Sequence, residues 1–132
     1  MAIRNLEEGF INIPSNTHPI TLNFTGPAII SVNGYYSINN NTVFLYIPAF
    51  SAPANMSSGI LNFLQLPAIL TPQHSVVLIG SVITPTSTET QGQIMITSFN
   101  TMNISANVAG GMFASGSICG TYSGQTLIYN LN

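Results

Sequence analysis

The stretch Thr42-Val43-Phe44-Leu45-Tyr46-Ile47 predicts the fold class of this chain. Apolar residues stand at every second position from Val43 to Ile47, and a period of two places them on one face of a β-strand. The other face carries two aromatic side chains, Phe44 and Tyr46, so we expect it to be covered as well. The sequence leaves two covers open, a second subunit and a loop of the same chain.

The same pattern continues along most of the chain. Short runs rich in Ile, Val, Phe, Tyr and Thr are separated by clusters of Gly, Pro, Asn and Ser, as strands are separated by turns. Many short strands with frequent turns favour an all-β fold, an antiparallel jelly-roll-like β-sandwich in a single domain. The predicted strands are Phe10–Ile13, Ile20–Phe24, Ala28–Val32, Tyr35–Ile38, Thr42–Ile47, Ile60–Leu66, Ser75–Thr84, Gln93–Ser98, Met102–Ala106 and Thr126–Leu131.

Turn residues mark the ends of these strands. Asn33-Gly34 is a dipeptide typical of tight hairpins, and it predicts a turn between two of the strands. The run Asn39-Asn40-Asn41 predicts another, because Asn tolerates left-handed conformations. His18 precedes Pro19 and is expected in a turn. Ser57–Leu66 has room for one helical turn at most, because the following proline limits a helix there.

Charge is almost absent from this sequence. Of 132 residues, one is Lys or Arg and three are Asp or Glu, which is 3% against about 25% in an average protein. Residues 1–9 hold three of these four charges and are predicted to be a polar N-terminal tail, followed by a β-sandwich head domain over residues 10–132. Beyond the tail, Glu89 is the only formally charged side chain.

The missing charges argue against most chemistry. A Ser–His–Asp triad is excluded because the chain has no Asp, and glycoside hydrolysis needs two carboxylates where Glu89 stands alone. Phosphate loops and nucleic-acid binding both depend on Lys or Arg. His18, His74 and Cys119 lack any metal-binding spacing. We therefore expect no enzyme activity, no cofactor, no metal and no nucleic-acid partner, and a structural, buried Cys119.

Hydropathy and net charge bear on the surroundings of the protein. The longest uncharged apolar stretch, 59–84, is interrupted by Pro67 and Pro72, so no membrane insertion is expected. No signal peptide is recognisable at the N-terminus. A formal net charge of −2 gives little colloidal stability. An obligate oligomer, or a place in a larger particle, would compensate for the low net charge by burying much of the surface.

The region from residue 34 to residue 132 resembles a known family, the distal head domains of trimeric viral and phage fibres, which have a TNF- or C1q-like jelly roll. Gly34-Tyr35-Tyr36, then Asn41-Thr42-Val43 with Leu45, Ile47 and Pro48, resembles the family's hairpin. Leu66-Pro67 resembles the end of a later strand. Residues 116–122 and 127–131 resemble the closing Gly-rich loop and the last core strand. Residues 1–33 match no part of the family pattern.

The resemblance implies a homotrimer on a virion surface, synthesised in the host cytoplasm, whose head contacts other virion proteins and a host-cell receptor or glycan. No repeat stalk is evident, which departs from the fibre pattern. The Asn-rich composition is similar to that of proteins from giant viruses and virophages. The implied function is a non-enzymatic attachment head. The alternative is a capsid-associated or decorating protein without receptor binding, and an enzyme with a site shared between subunits is the least favoured interpretation.

A neutral ligand is the remaining target for recognition. Carbohydrate sites use amide groups for hydroxyls and an aromatic ring for the apolar face of a sugar. The candidate ligand-binding residues combine both in one expected turn region: Asn33, Tyr35, Tyr36, Asn39, Asn40 and Asn41. Against this, turn chemistry alone explains the asparagines, and the tyrosines fit a core or an interface.

Overall fold

The computed structural model describes residues 17–62 and 66–132, and in this part of the chain it is almost entirely β. A single 3₁₀ turn, Ala68–Leu70, is its one helical element. The strands are β1 His18–Thr25, β2 Ile30–Asn39, β3 Thr42–Ile47, β4 Phe50–Pro53, β5 Ile60–Asn62, β6 Val76–Ile83, β7 Glu89–Ile96, β8 Met102–Ile104, β9 Ile118–Thr121 and β10 Gln125–Asn130.

Eight of these strands form one antiparallel sheet in the order β10-β3-β2-β1-β5-β8-β7-β6. One half is β10 with the β1–β3 meander, and the other is the β6–β8 meander joined through the short strand β5. The sheet curves until its two edge strands, β10 and β6, approach one another. The two layers of the sandwich are therefore the two halves of one nearly closed sheet.

A side chain closes the gap between the edge strands. The Gln125 amide accepts a hydrogen bond from the Ser81 backbone N–H at 2.8 Å and donates one to the Ser81 carbonyl at 3.0 Å. It thereby takes the place of one residue of a partner strand, because a peptide group makes the same two bonds in an antiparallel ladder. We call this junction between β6 and β10 the seam.

The alternation predicted from the sequence places the core correctly. Val43, Leu45 and Ile47 are fully buried, as are Ile94 and Ile96 across the barrel. The small sheet of β4 and β9 packs over one opening of this core, where the Phe50 ring lies nearly parallel to the ring of a buried β1 residue, Phe24, at 5.5 Å. Long non-local pairings thus hold the domain together.

The prediction of an all-β antiparallel sandwich in a single domain is confirmed. Cys119 is buried, also as predicted. Two strands, β4 and β9, were not predicted, and His18 begins β1, so the expected turn there is wrong. The predicted tail 1–9 and the predicted strand Phe10–Ile13 lie outside the described residues.

The hairpin predicted at Asn33-Gly34 is wrong, because both residues lie inside the ten-residue strand β2. Gly34 does not have the positive φ that a hairpin glycine needs. It serves a close approach of backbones, since a Cβ at this position would stand 2.2 Å from the carbonyl oxygen of Tyr46 on β3. The turn predicted at Asn39-Asn40-Asn41 does form, with Asn40 at φ 57°.

Candidate functional site

The outward face of β1, β2, β3 and β10 is largely open to solvent in the described part of the chain, with the Gly124 backbone lying against the Tyr46 ring at one edge. It carries a row of cross-strand neighbours, Pro19 opposite Tyr35, Tyr35 opposite Tyr46, and Tyr46 opposite Thr126. Four strands at about 4.8 Å spacing make this row roughly 14 Å long. We call it, with the outward residues Thr21, Asn33, Phe44 and Ile128, the amide–aromatic face.

The central side chains of this face meet solvent. Tyr35 is 53% exposed, Tyr46 38% and Ile128 54%, although large apolar groups on adjacent strands are the usual material of buried surfaces. Of the two covers left open by the sequence, a loop of the same chain supplies a small part, because Gly124 lies against the Tyr46 ring while Tyr35 and Ile128 stay more than half exposed. The face is thus a contiguous surface of rings and aliphatic groups without any formal charge.

Amide groups along β1 and β2 are held in place by hydroxyls. Thr21 donates to Asn33 Oδ1 at 2.9 Å, and Ser31 donates to Asn23 Oδ1 at 2.5 Å. In both asparagines the NH₂ group finds no hydrogen-bond partner among the residues described. The amide–aromatic face therefore offers fixed donors beside an aromatic surface.

The structure separates the six predicted ligand-binding residues into three places. Asn33 and Tyr35 lie on the amide–aromatic face, and Tyr36 points to the opposite side of β2, where its ring packs 5.3 Å from that of His18. Asn39, Asn40 and Asn41 form the β2–β3 turn. At about 3.4 Å per residue, this turn is roughly 20 Å from Asn33 along the strand. Tyr46 and Thr126, which join Asn33 and Tyr35, were not predicted because their proximity depends on strand pairing.

A second candidate site is a groove beside the seam. It has a volume of about 600 Å³ and is open to solvent. Its walls are Ile79, Gly80 and Ser81 of β6, Glu89, Thr90 and Gln91 of β7, and Gln125 of β10. We call it the seam groove. The one charged side chain of the described residues, Glu89, lies in it.

Hydrogen bonds fix the walls of the seam groove. Ser123 donates to Ser81 Oγ at 3.2 Å, and Ser81 Oγ donates to Glu89 Oε2 at 2.6 Å. The floor depends on Gly80, because a Cβ there would stand 2.4 Å from Gln125 Oε1 and 2.5 Å from Ile94 Cδ1. A missing side chain and an inserted amide thus create the concavity.

Other reactive groups are scattered. His18 and His74 are both exposed, on different segments, and no group of three His, Cys, Asp or Glu gathers within the described ranges. Burial raises the pKa of the Cys119 thiol, whose Sγ lies 3.3 Å from the Ala52 carbonyl. No helix in residues 17–62 and 66–132 is long and apolar enough to cross a membrane.

Comparisons with known proteins give little beyond this geometry. No family model and no curated protein matches the sequence. A solved structure that aligns with it is a reovirus attachment protein, sigma1, in complex with alpha-2,3-sialyllactose, at 13% identity and a TM-score of 0.48. The alignment covers 89% of this chain and 66% of the sigma1 chain. A likeness of this size assigns neither a family nor a ligand.

Proposed function

We propose that this protein is a non-enzymatic structural module of a virus surface, a homotrimeric head that holds a host-surface ligand. The observation that carries the assembly in this proposal is the exposed amide–aromatic face, a broad, uncharged surface of about four strands' width. Tyrosine is enriched in protein interfaces because it combines a large apolar area with one polar group at low entropic cost. A surface of this kind binds by shape and hydrogen bonds.

The chemistry of the face favours a second copy of the chain as its occupant. Asn amides and Tyr hydroxyls both donate and accept hydrogen bonds, so another neutral surface of this chain is able to satisfy them. A strongly charged partner would lose hydration on contact and find no counter-charge on the face. A near absence of charge also removes repulsion between copies.

A closed ring of three requires two different contact patches on each protomer. The second patch in this proposal is the outward pair of Val77 on β6 and Met95 on β7, which are cross-strand partners. Val77 is 56% exposed. We propose that the amide–aromatic face of one protomer packs on this aliphatic pair of the next.

Light scattering at micromolar concentration tests the assembly. The native protein is expected at three times 14.0 kDa. Tyr35→Ser and Val77→Ser each remove apolar area from one of the two patches and are each expected to shift the mass toward the monomer. Tyr122→Ser is the matched control, because Tyr122 is also exposed but lies on neither patch. A monomeric native protein would contradict the trimer, and unchanged mass in both variants would contradict this interface.

A separate experiment tests where the protein lies in the virus particle. Immuno-electron microscopy of purified particles, with antibodies raised against the chain, is expected to label the outer surface. Labelling only of disrupted particles would contradict an attachment role. Surface labelling without binding to host cells or glycans would favour the alternative, a decorating protein without a receptor.

A further inference from the structure

We infer that the seam groove is a binding site for a neutral carbohydrate. The inference builds on the proposed recognition role and assigns the ligand to a place remote from the predicted Asn-rich turn. A volume of about 600 Å³ lies within the range of small-ligand sites, which span roughly 300–1,000 Å³. The groove also holds the single charge of the described residues, in a chain otherwise built to avoid charge.

The groove is organised before any ligand arrives. The Gln125 amide oxygen and NH₂ group are both hydrogen-bonded to the Ser81 backbone, so this amide forms a fixed wall of the groove. The hydroxyl of Ser81 holds one carboxylate oxygen of Glu89. Rigid polar groups lose little freedom on binding, which favours recognition of a small ligand.

The groups left free define the ligand. Glu89 Oε1 and the Gln91 amide, both on the exposed face of β7, have no hydrogen-bond partner among the described residues, and together they supply both donors and acceptors. Sugar hydroxyls also donate and accept hydrogen bonds, and a carboxylate accepts charge-assisted hydrogen bonds from them. The half-exposed side chain of Ile79 supplies an apolar wall for the C–H face of the ring.

Charge separates this ligand from its competitors. An anionic glycan would approach Glu89 with no cation in the described residues to compensate. A Lys or Arg side chain of a cationic peptide would satisfy Glu89 but carries donors only, so it would leave the NH₂ of Gln91 unmatched, whereas a sugar hydroxyl both donates and accepts. Both arguments favour a neutral sugar.

Nuclear magnetic resonance of the ¹⁵N-labelled full chain tests the inference. Lactose, N-acetyllactosamine and mannobiose are the neutral probes, and sialyllactose is the anionic comparison. We expect saturable shifts of the Ser81, Glu89 and Gln91 amides with at least one neutral probe. Sialyllactose is expected to bind at least about fivefold more weakly than that probe.

Two variants of β7 form the matched pair. Gln91→Ala is expected to weaken binding of the neutral probe by about tenfold, as loss of a good hydrogen bond does. Gln93→Ala, on the same strand and outward face but outside the groove, is expected to change it less than about twofold. Glu89→Gln is expected to weaken binding of the neutral probe. It is also expected to reduce the difference in affinity between the neutral probe and sialyllactose.

Three outcomes would overturn the inference: no saturable shift with any neutral probe, shifts confined to the amide–aromatic face, or sialyllactose binding as tightly as the best neutral probe. These outcomes are distinct from failure of the proposed assembly. A trimer with an empty groove retains the proposed interface, and a monomer whose groove binds sugar retains this site alone.

Discussion

The amide–aromatic face and the seam groove are built from the same strand-forming residues, yet the face is continuous and the groove is recessed. On the face, every strand has a partner and each outward side chain has a cross-strand neighbour, so the surface is continuous. At the seam, one strand partner is replaced by the Gln125 amide, and Gly80 leaves space beneath it. Surface shape in this protein is therefore decided by backbone pairing more than by composition.

The face should be broken most severely by Gly34→Ala. The added methyl group would meet a backbone carbonyl, that of Tyr46, which cannot rotate away as a side chain can. We expect a loss of about 3 kcal/mol in the free energy of unfolding, at the upper end of overpacking effects. Denaturant unfolding measures it. Asn33→Ala, at the neighbouring exposed position, is the control, and equal stability of the two variants would show that the close approach is unimportant.

The groove should be broken by Gln125→Ala with a smaller effect. This change leaves the Ser81 N–H without its partner and the Ser81 carbonyl with only the long bond from the Tyr122 N–H at 3.4 Å, and we expect a loss of about 2 kcal/mol. Hydrogen exchange of the Ser81 amide should accelerate, while amides of β2 stay protected. Gln91→Ala removes an exposed amide with no such role and is expected to stay within about 0.5 kcal/mol of the native protein.

The strand shared by both regions, β10, offers the mildest test. The hydroxyl of Tyr129 donates to the Leu70 carbonyl at 2.6 Å in a buried site, so Tyr129→Phe is expected to cost about 1 kcal/mol at neutral pH. Denaturant unfolding at pH 7 checks this value. Tyr122→Phe, which changes an exposed tyrosine, should have no comparable effect.

The same residue predicts a dependence on pH. Burial raises the pKa of Tyr129 above its ordinary value of 10.0, so the unfolded chain loses this proton first as the pH rises. The stabilisation is complete below pH 10 and should decline by up to about 1.4 kcal/mol per pH unit above it. Tyr129→Phe should show a shallower decline than the native protein between about pH 10 and pH 11. Parallel curves for the two proteins would contradict the assignment.

Local sequence patterns predicted the strands that have long alternating runs. Thr42–Ile47 is predicted to the residue, because each of its positions has a clear inward or outward preference. The strands β4 and β9 are four residues each and contain Pro53 and Gly120, which are locally typical of turns. β4 and β9 pair with one another although they lie far apart in the sequence, so no local sequence pattern predicts this contact.

The candidate sites were less accessible to sequence reasoning for the same reason. Gln125 and Ser81 are 44 residues apart, and nothing in either neighbourhood indicates their contact. Asn33-Gly34 matches a hairpin pattern, but the approach of β3 overrides that local preference. Glu89 was the one sequence signal for the groove, because it is the only formally charged side chain beyond residue 9.

The position of Asn33-Gly34 within β2 also affects how long the protein lasts. An Asn-Gly pair ages chemically when the glycine nitrogen attacks the asparagine side-chain amide, releases ammonia and closes a ring, which requires a bent backbone. At these two residues the β2 backbone is extended and paired with β1, and Thr21 donates to the Asn33 side-chain oxygen. The folded protein is consequently protected from this loss of ammonia, and we expect the reaction at Asn33 to begin only after unfolding.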